Sequence, residues 1–197
     1  MRAALFLTLS FFVVEVIGGI ASGSLALLAD AAHMFTDVAA LILAYAAMSL
    51  ADRAPSRKHS FGLYRAEILA AFVNAQLLLV VSGYILYEAY RRFRTPQQIE
   101  TGLMFWVAIA GLAGNLVSMK LLHGGREKSL NVKAAYLEVV TDVMGSLGVI
   151  AAALLMRPTG WYWLDPVISA AIGLFIVPRT ISLLRQSGHI LLEGSPR

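Results

Sequence analysis

Two stretches, Leu25-Ala-Leu-Leu-Ala-Asp30-Ala-Ala-His33-Met-Phe-Thr-Asp37 and Glu138-Val-Val-Thr-Asp142, carry acidic groups inside segments otherwise suited to hydrocarbon. Four residues make about one helical turn, so His33 and Asp37 share one helix face, as do Glu138 and Asp142. A carboxylate at the centre of a bilayer costs about 2.5–3.5 kcal/mol on insertion scales. A chain that bears this cost repeatedly, in matching geometry, puts the groups to use. Two facing pairs offer one imidazole and three carboxylates, a donor set suited to a divalent metal ion or to protons. The spacing predicts an intramembrane cation site.

Composition sets the surroundings of that site. Of 197 residues, 58% are hydrophobic and only 14% charged, with a mean hydropathy of +0.72. This is the profile of a helical membrane bundle. Six stretches are long enough to span: Ala3–Ala21, Leu25–Leu50, Ala66–Tyr90, Gly102–Leu122, Ala134–Met156 and Pro166–Leu184. The fold class expected is therefore all-α, a polytopic bundle of six transmembrane helices. Residues 1–187 form that domain, and residues 188–197 begin a linker.

Lysine and arginine set the orientation. With the N-terminus inside, twelve of the sixteen (Arg2, Arg53, Arg57, Lys58, Arg65, Lys120, Arg126, Lys128, Lys133, Arg179, Arg185 and Arg197) fall at inner ends. Arg91, Arg92, Arg94 and Arg157 fall at outer ends. That asymmetry places both termini in the cytoplasm, although the Arg91–Arg94 cluster runs against it. Trp161 and Trp163, with Tyr84, Tyr87, Tyr90 and Phe93, read as an outer aromatic belt. The net charge of +4 and the pI near 9.6 follow from these flanks and match anionic lipid headgroups, not nucleic acid. With no cysteine, disulfides and thiolate metal sites are excluded.

Met1-Arg2 and the apolar run Ala3–Val14 resemble a secretory signal, but Glu15 and Gly18-Gly19 continue a full helix-length stretch. The start of the chain almost inside span one suggests a short cytoplasmic lead ahead of it. The tight Ser22-Gly23-Ser24 link makes spans one and two antiparallel neighbours. Asp52–Arg65 and His123–Lys133 read as polar cytoplasmic loops. The acidic four-residue spacing recurs three spans apart, a weak echo of an inverted repeat with a site at the midplane. Counted at ~1.5 Å per residue, His33 lies roughly 12 Å and Asp37 about 18 Å below the outer end of span two. By the same rise, Asp142 lies roughly 21 Å and Glu138 about 27 Å below the outer end of span five. Tilt or a shift of the span ends allows a common level.

The remaining polar residues read as support. Asp30 shares the His33 face and is either an outer vestibule carboxylate or a hydrogen-bonded packing residue. Glu15 and Glu67 read as partners of arginine or backbone groups, with a relay role the alternative, and Asn74 and Asn115 as hydrogen-bonded glue between helices, or else as support for the ligands. His59 reads as a surface loop histidine, with a peripheral metal contact the alternative, and His123 has no assigned role. Gly145, Ser146 and Gly148 fit close helix approach around span five, and the seven methionines fit packing or lipid contact.

A resemblance now covers nearly the whole chain in order. Leu25–Asp37, His59-Ser-Phe-Gly62 with Arg65 and Glu67, Ala71-Phe-Val-Asn74, Gly114-Asn115, Asn131-Val-Lys-Ala-Ala135, Asp142-x-x-Gly145-Ser146-x-Gly148-Val149 and Asp165-Pro166 resemble the cation diffusion facilitators. The bacterial zinc-exporting branch of these divalent-metal/proton antiporters is the nearest likeness. The resemblance implies a six-helix transmembrane domain in the bacterial inner membrane, a homodimer, and a tetrahedral zinc site made of His33, Asp37, Glu138 and Asp142. That branch usually has His where this chain has Glu138. The family also continues into a cytoplasmic αβ domain that would begin near Leu191–Arg197; either the chain given is shortened or this is a form without that domain.

Chemistry gives the Glu138 difference a meaning. Zinc accepts imidazole nitrogen and carboxylate oxygen at about 2.0–2.2 Å, so the set still suits it. Extra carboxylate makes the site harder, favouring manganese, ferrous iron or cobalt more than a two-histidine site would. Crowded carboxylates repel one another, so protons occupy them when metal is absent. The expected function is divalent-cation efflux, zinc first, by metal/proton antiport with alternating access, and with no catalytic residue or bound cofactor. Its rivals are a membrane metal sensor or scaffold without net flux, and an intramembrane hydrolase. The latter lacks His-Glu-x-x-His and Gly-x-Ser-x-Gly signatures.

Overall fold

A computed structural model describes residues 2–51, 64–123 and 130–192. His59 and the loop around it lie outside the described residues. So do the side chains of Asp37, Glu67 and Glu138, although their backbone is helical. Six helices follow one another: α1 (Arg2–Ser22), α2 (Leu25–Ala51), α3 (Tyr64–Arg94), α4 (Thr101–His123), α5 (Leu130–Thr159) and α6 (Leu164–Leu191). Each contains one expected span, and most run a few residues past it. The last continues to Leu191 where the apolar pattern stops at Leu184, so residues 188–191 are helix.

The bundle is apolar on the outside. Among the described residues four segments are long and apolar enough to cross a bilayer: Ala71–Arg94, Thr101–Leu121, Val139–Thr159 and Leu164–Leu191. Only 22–33% of each window is buried within the chain, so most of the apolar surface faces outward, as lipid requires and water would punish. The described apolar parts of the other two, Leu9–Ser22 and Leu25–Thr36, are shorter. The protein is a multi-pass membrane protein. Tyr84, Tyr87, Tyr90, Phe93, Trp161 and Trp163 are all exposed at the end of the bundle expected to be outer, where aromatic rings bridge lipid and water.

α2 sits between two helix pairs, α3 with α6 and α4 with α5. Its Leu25, Ala29 and Ala32 lie four and three residues apart on one face, packing on Leu78, Ile85, Ala89 and Ile176. Ala26 and Leu27 face the other way, onto Met104, Val107, Ala108, Val149, Ala152, Ala153 and Met156. Between α1 and α4 runs a seam of small residues. A side-chain carbon added to Gly18 would strike Val107, one on Gly114 would strike Phe11, and one on Gly111 would strike Glu15. The glycines thus let the two backbones approach closely.

The three outer connections converge on the start of α2. Gly23 takes the left-handed conformation (φ 72°), which glycine adopts without a Cβ penalty. Ser24 Oγ then accepts from Leu27 N at 3.2 Å, the geometry of an N-cap. The Glu100 amide donates to Ser22 O at 2.9 Å, and Arg92 donates to Gly23 O. The outer arginines that offend the charge rule are held here: Arg91 and Arg92 donate to Glu88 Oε1 at 2.8 and 2.9 Å.

Candidate cation site

α2 and α5 touch sparingly, and across the space between them His33 Nε2 approaches Asp142 Oδ1 at 3.4 Å. Both side chains are nearly buried. One member of each sequence pair therefore meets one of the other. Counting down each helix had left them about 9 Å apart in depth, and the structure shows why that count misleads. α2 does not begin at the surface. Ser24 and Leu25 are buried, so the helix end from which His33 was counted is itself inside the bundle.

Asp37 and Glu138 lie one turn inward of His33 and Asp142 on continuous helix, on the same faces as their partners. Their side chains are outside the described residues. Among the described residues no group of three or more His, Asp or Glu side chains converges tightly enough to hold an ion. His33 and Asp142 are the half of the expected four-residue set whose meeting can be observed. Apart from its 3.4 Å approach to His33 Nε2, Asp142 Oδ1 is buried and makes no hydrogen bond among the described residues. A buried carboxylate oxygen left this way is costly, and a bound cation or proton relieves the cost.

Further acidic groups surround the pair. Asp30, one turn outward of His33, is 6% exposed, and Gly145 of α5 faces its Oδ1. Glu15 of α1 is 1% exposed and lies near enough to Asp30 and Asp142 for mutual repulsion. Glu15 was expected to pair with arginine or backbone groups. Its Oε2 has no hydrogen-bond partner among the described residues. Asn115 Nδ2 donates to Ser146 Oγ at 3.4 Å, so Asn115 joins α4 to α5 as expected. Among the described residues nothing lies within 4 Å of a side-chain carbon added at Gly148, so no close approach is seen there. His123 is exposed and stacks edge-on against Tyr136, ring centroids 5.9 Å apart.

Asp165 is the buried acid whose role sequence reasoning missed. Its carboxylate accepts from Ser24 Oγ at 2.6 Å, Leu25 N at 2.8 Å and Ala26 N at 3.1 Å. With Ser24 taking Leu27 N, the first three amides of α2 are all satisfied. Asp165 begins α6 yet caps α2, fixing the helix that carries His33. The Asp165-Pro166 pair was visible, but nothing in the sequence names the other helix.

Comparison with known proteins identifies relatives of the chain. The description of the cation efflux transmembrane domain matches residues 1–192. The chain is 54% identical over 196 residues to the metal cation efflux system protein CzcD of Cupriavidus metallidurans, covering 100% of this chain. It is 50% identical over 190 residues, 96% of its length, to the zinc transporter ZitB of Escherichia coli. Over 188 residues, 94% of its length, it is 42% identical to a cadmium, cobalt and zinc/H(+)-K(+) antiporter of Bacillus velezensis. The chain spans 62%, 61% and 60% of the length of these three curated relatives.

Proposed function

The chain belongs to the cation efflux family, and from that premise we propose that it exports a divalent metal ion, zinc first, in exchange for protons. The cargo is held between α2 and α5 by His33, Asp37, Glu138 and Asp142. The observation that carries this reading is the 3.4 Å approach of His33 Nε2 to Asp142 Oδ1 across an otherwise sparse helix contact. An imidazole nitrogen and a buried carboxylate oxygen are donors zinc accepts, and Asp37 and Glu138 on the next turn supply two more carboxylates.

The protein is a carrier in this reading and makes or breaks no covalent bond. Imidazole and carboxylates bind either the metal or protons, so each displaces the other. Exchange follows when rocking of the helix pairs opens the site to one side at a time. The chain acts within a homodimer, and its C-terminal residues lead toward a cytoplasmic domain, as the family likeness implies.

Proteoliposomes reconstituted with the protein test the coupling: zinc entry accompanied by an opposing proton flux is expected. Zinc flux without any response of a lumenal pH dye would end the antiport reading. A second titration tests the ligand set. Glu138→His softens the site, so zinc affinity should rise relative to manganese. An unchanged ranking removes Glu138 from direct contact with the ion.

A further inference from the structure

One row of exposed side chains runs along α3 to its outer end: Leu77, Val80, Tyr84, Tyr87, Arg91 and Arg94. They are spaced alternately three and four residues apart, which keeps them on one side of the helix. The opposite side, with Leu78, Ile85, Glu88 and Ala89, is buried in the bundle. The chemistry of the row changes in one direction, aliphatic within the span, phenolic toward the outer surface, and cationic in the last turn. A phospholipid lying beside α3 presents acyl chain, ester and phosphate in that same order.

Two arginines of the row are only partly engaged by the protein. Glu88 meets both Arg91 and Arg92 through a single oxygen, at 2.8 and 2.9 Å. Arg92 turns inward, its side chain 14% exposed, and donates also to Gly23 O. The Arg91 side chain is 56% exposed, and a guanidinium with five N–H groups keeps donors beyond the one that reaches Glu88. Arg94 lies 5.0 Å from the centroid of the Tyr90 ring and makes no ion pair among the described residues. Glu88 therefore accounts for Arg92 at the outer end and leaves Arg94, with most of Arg91, to something outside the chain.

We propose that Arg91 and Arg94, with Tyr87, bind the phosphate of an anionic phospholipid in the outer leaflet, its acyl chain lying along Val80 and Leu77. Guanidinium groups hold phosphate oxygens by charge-assisted hydrogen bonds, and tyrosine belongs at headgroup level. A second copy of the chain does not suit this end of the row. In a two-fold pair each patch meets its own copy, which would set these arginines against their like.

The chain has no cysteine, so a single reporter can be placed beside the row. Gly83 shares a face with Val80 and Tyr87, and a side-chain carbon there meets nothing within 4 Å among the described residues. Gly83→Cys carrying a fluorophore, reconstituted in bilayers, is quenched by brominated lipids that sit next to it. Brominated phosphatidylglycerol should be favoured over brominated phosphatidylcholine by about tenfold or more. Arg91→Gln combined with Arg94→Gln should bring that ratio near one, whereas Arg157→Gln, at the outer end of α5, should leave it unchanged. Should the double variant not fold, Arg94→Gln alone spares the Glu88 pair and should still lower the ratio. Equal quenching by the two lipids before any arginine is changed would overturn the site, as would an equal loss in Arg157→Gln. Absence of quenching by either lipid would put a protein surface on the row and overturn it too.

Discussion

Asp165 and Glu15 are buried to the same degree, 0% and 1% exposed, and sit in opposite chemical circumstances. Asp165 receives a hydroxyl and two backbone amides that would otherwise be orphaned at the start of α2. Glu15, with Asp30 and Asp142 beside it, faces more negative charge and keeps an oxygen unpaired. The first acid completes a helix cap and holds the outer end of the bundle together. The second group weakens the bundle in the absence of a positive charge. Buried acids that stabilise and buried acids that wait for a ligand are told apart by their partners, not by burial.

Substitutions should separate the two regions in opposite directions. The largest effect belongs to Asp142→Asn. Zinc affinity should fall by more than the roughly 10–100-fold that loss of an outlying partner causes. The melting temperature of the metal-free protein should hold or rise, because a neutral amide replaces a carboxyl group buried among other acids. A lower melting temperature in the metal-free state would place Asp142 with Asp165 as a structural group. Next comes Asp165→Ala, which leaves donors without an acceptor. Hydrogen bonds to a charged group contribute about 1.5–3 kcal/mol each, so detergent unfolding should show a loss of at least about 2 kcal/mol. Undiminished stability would mean that water or another side chain takes over the cap. The smallest effect is expected at the glycines of the two regions. Gly148→Ala, with open space, should be neutral or stabilise by up to about 1 kcal/mol through helix propensity. Gly111→Ala should disturb Glu15 and lower stability; equal melting curves for the two would remove the seam from the account.

Much of this was legible before any coordinates. Long apolar runs announced the helices, and their near-total lack of charge made the His33-x-x-x-Asp37 and Glu138-x-x-x-Asp142 spacings stand out. The meeting of His33 with Asp142 follows from those faces once α2 and α5 are neighbours. Their common depth did not follow, because counting from helix ends assumes every helix starts at the same surface and α2 starts below it. Glu88 could have been found: its spacing of three and four residues to Arg91 and Arg92 is a helical ion-pair signature, and it explains basic residues at the outer end. Glu15 could not be read from its own helix. Its neighbours are set by Gly18, Gly111 and Gly114, small residues whose pairing across α1 and α4 is a tertiary fact. Asp165 was equally hard to place, since an acid in the first turn of α6 carries no sign in the sequence that it reaches the start of α2.

X-ray absorption at the zinc edge, with one equivalent of zinc per chain, tests the central claim most directly. The account predicts a single imidazole nitrogen with oxygens at about 2.0–2.2 Å, and loss of the imidazole scattering in His33→Ala. Imidazole scattering that survives in His33→Ala would place the ion on another histidine and contradict a site between α2 and α5.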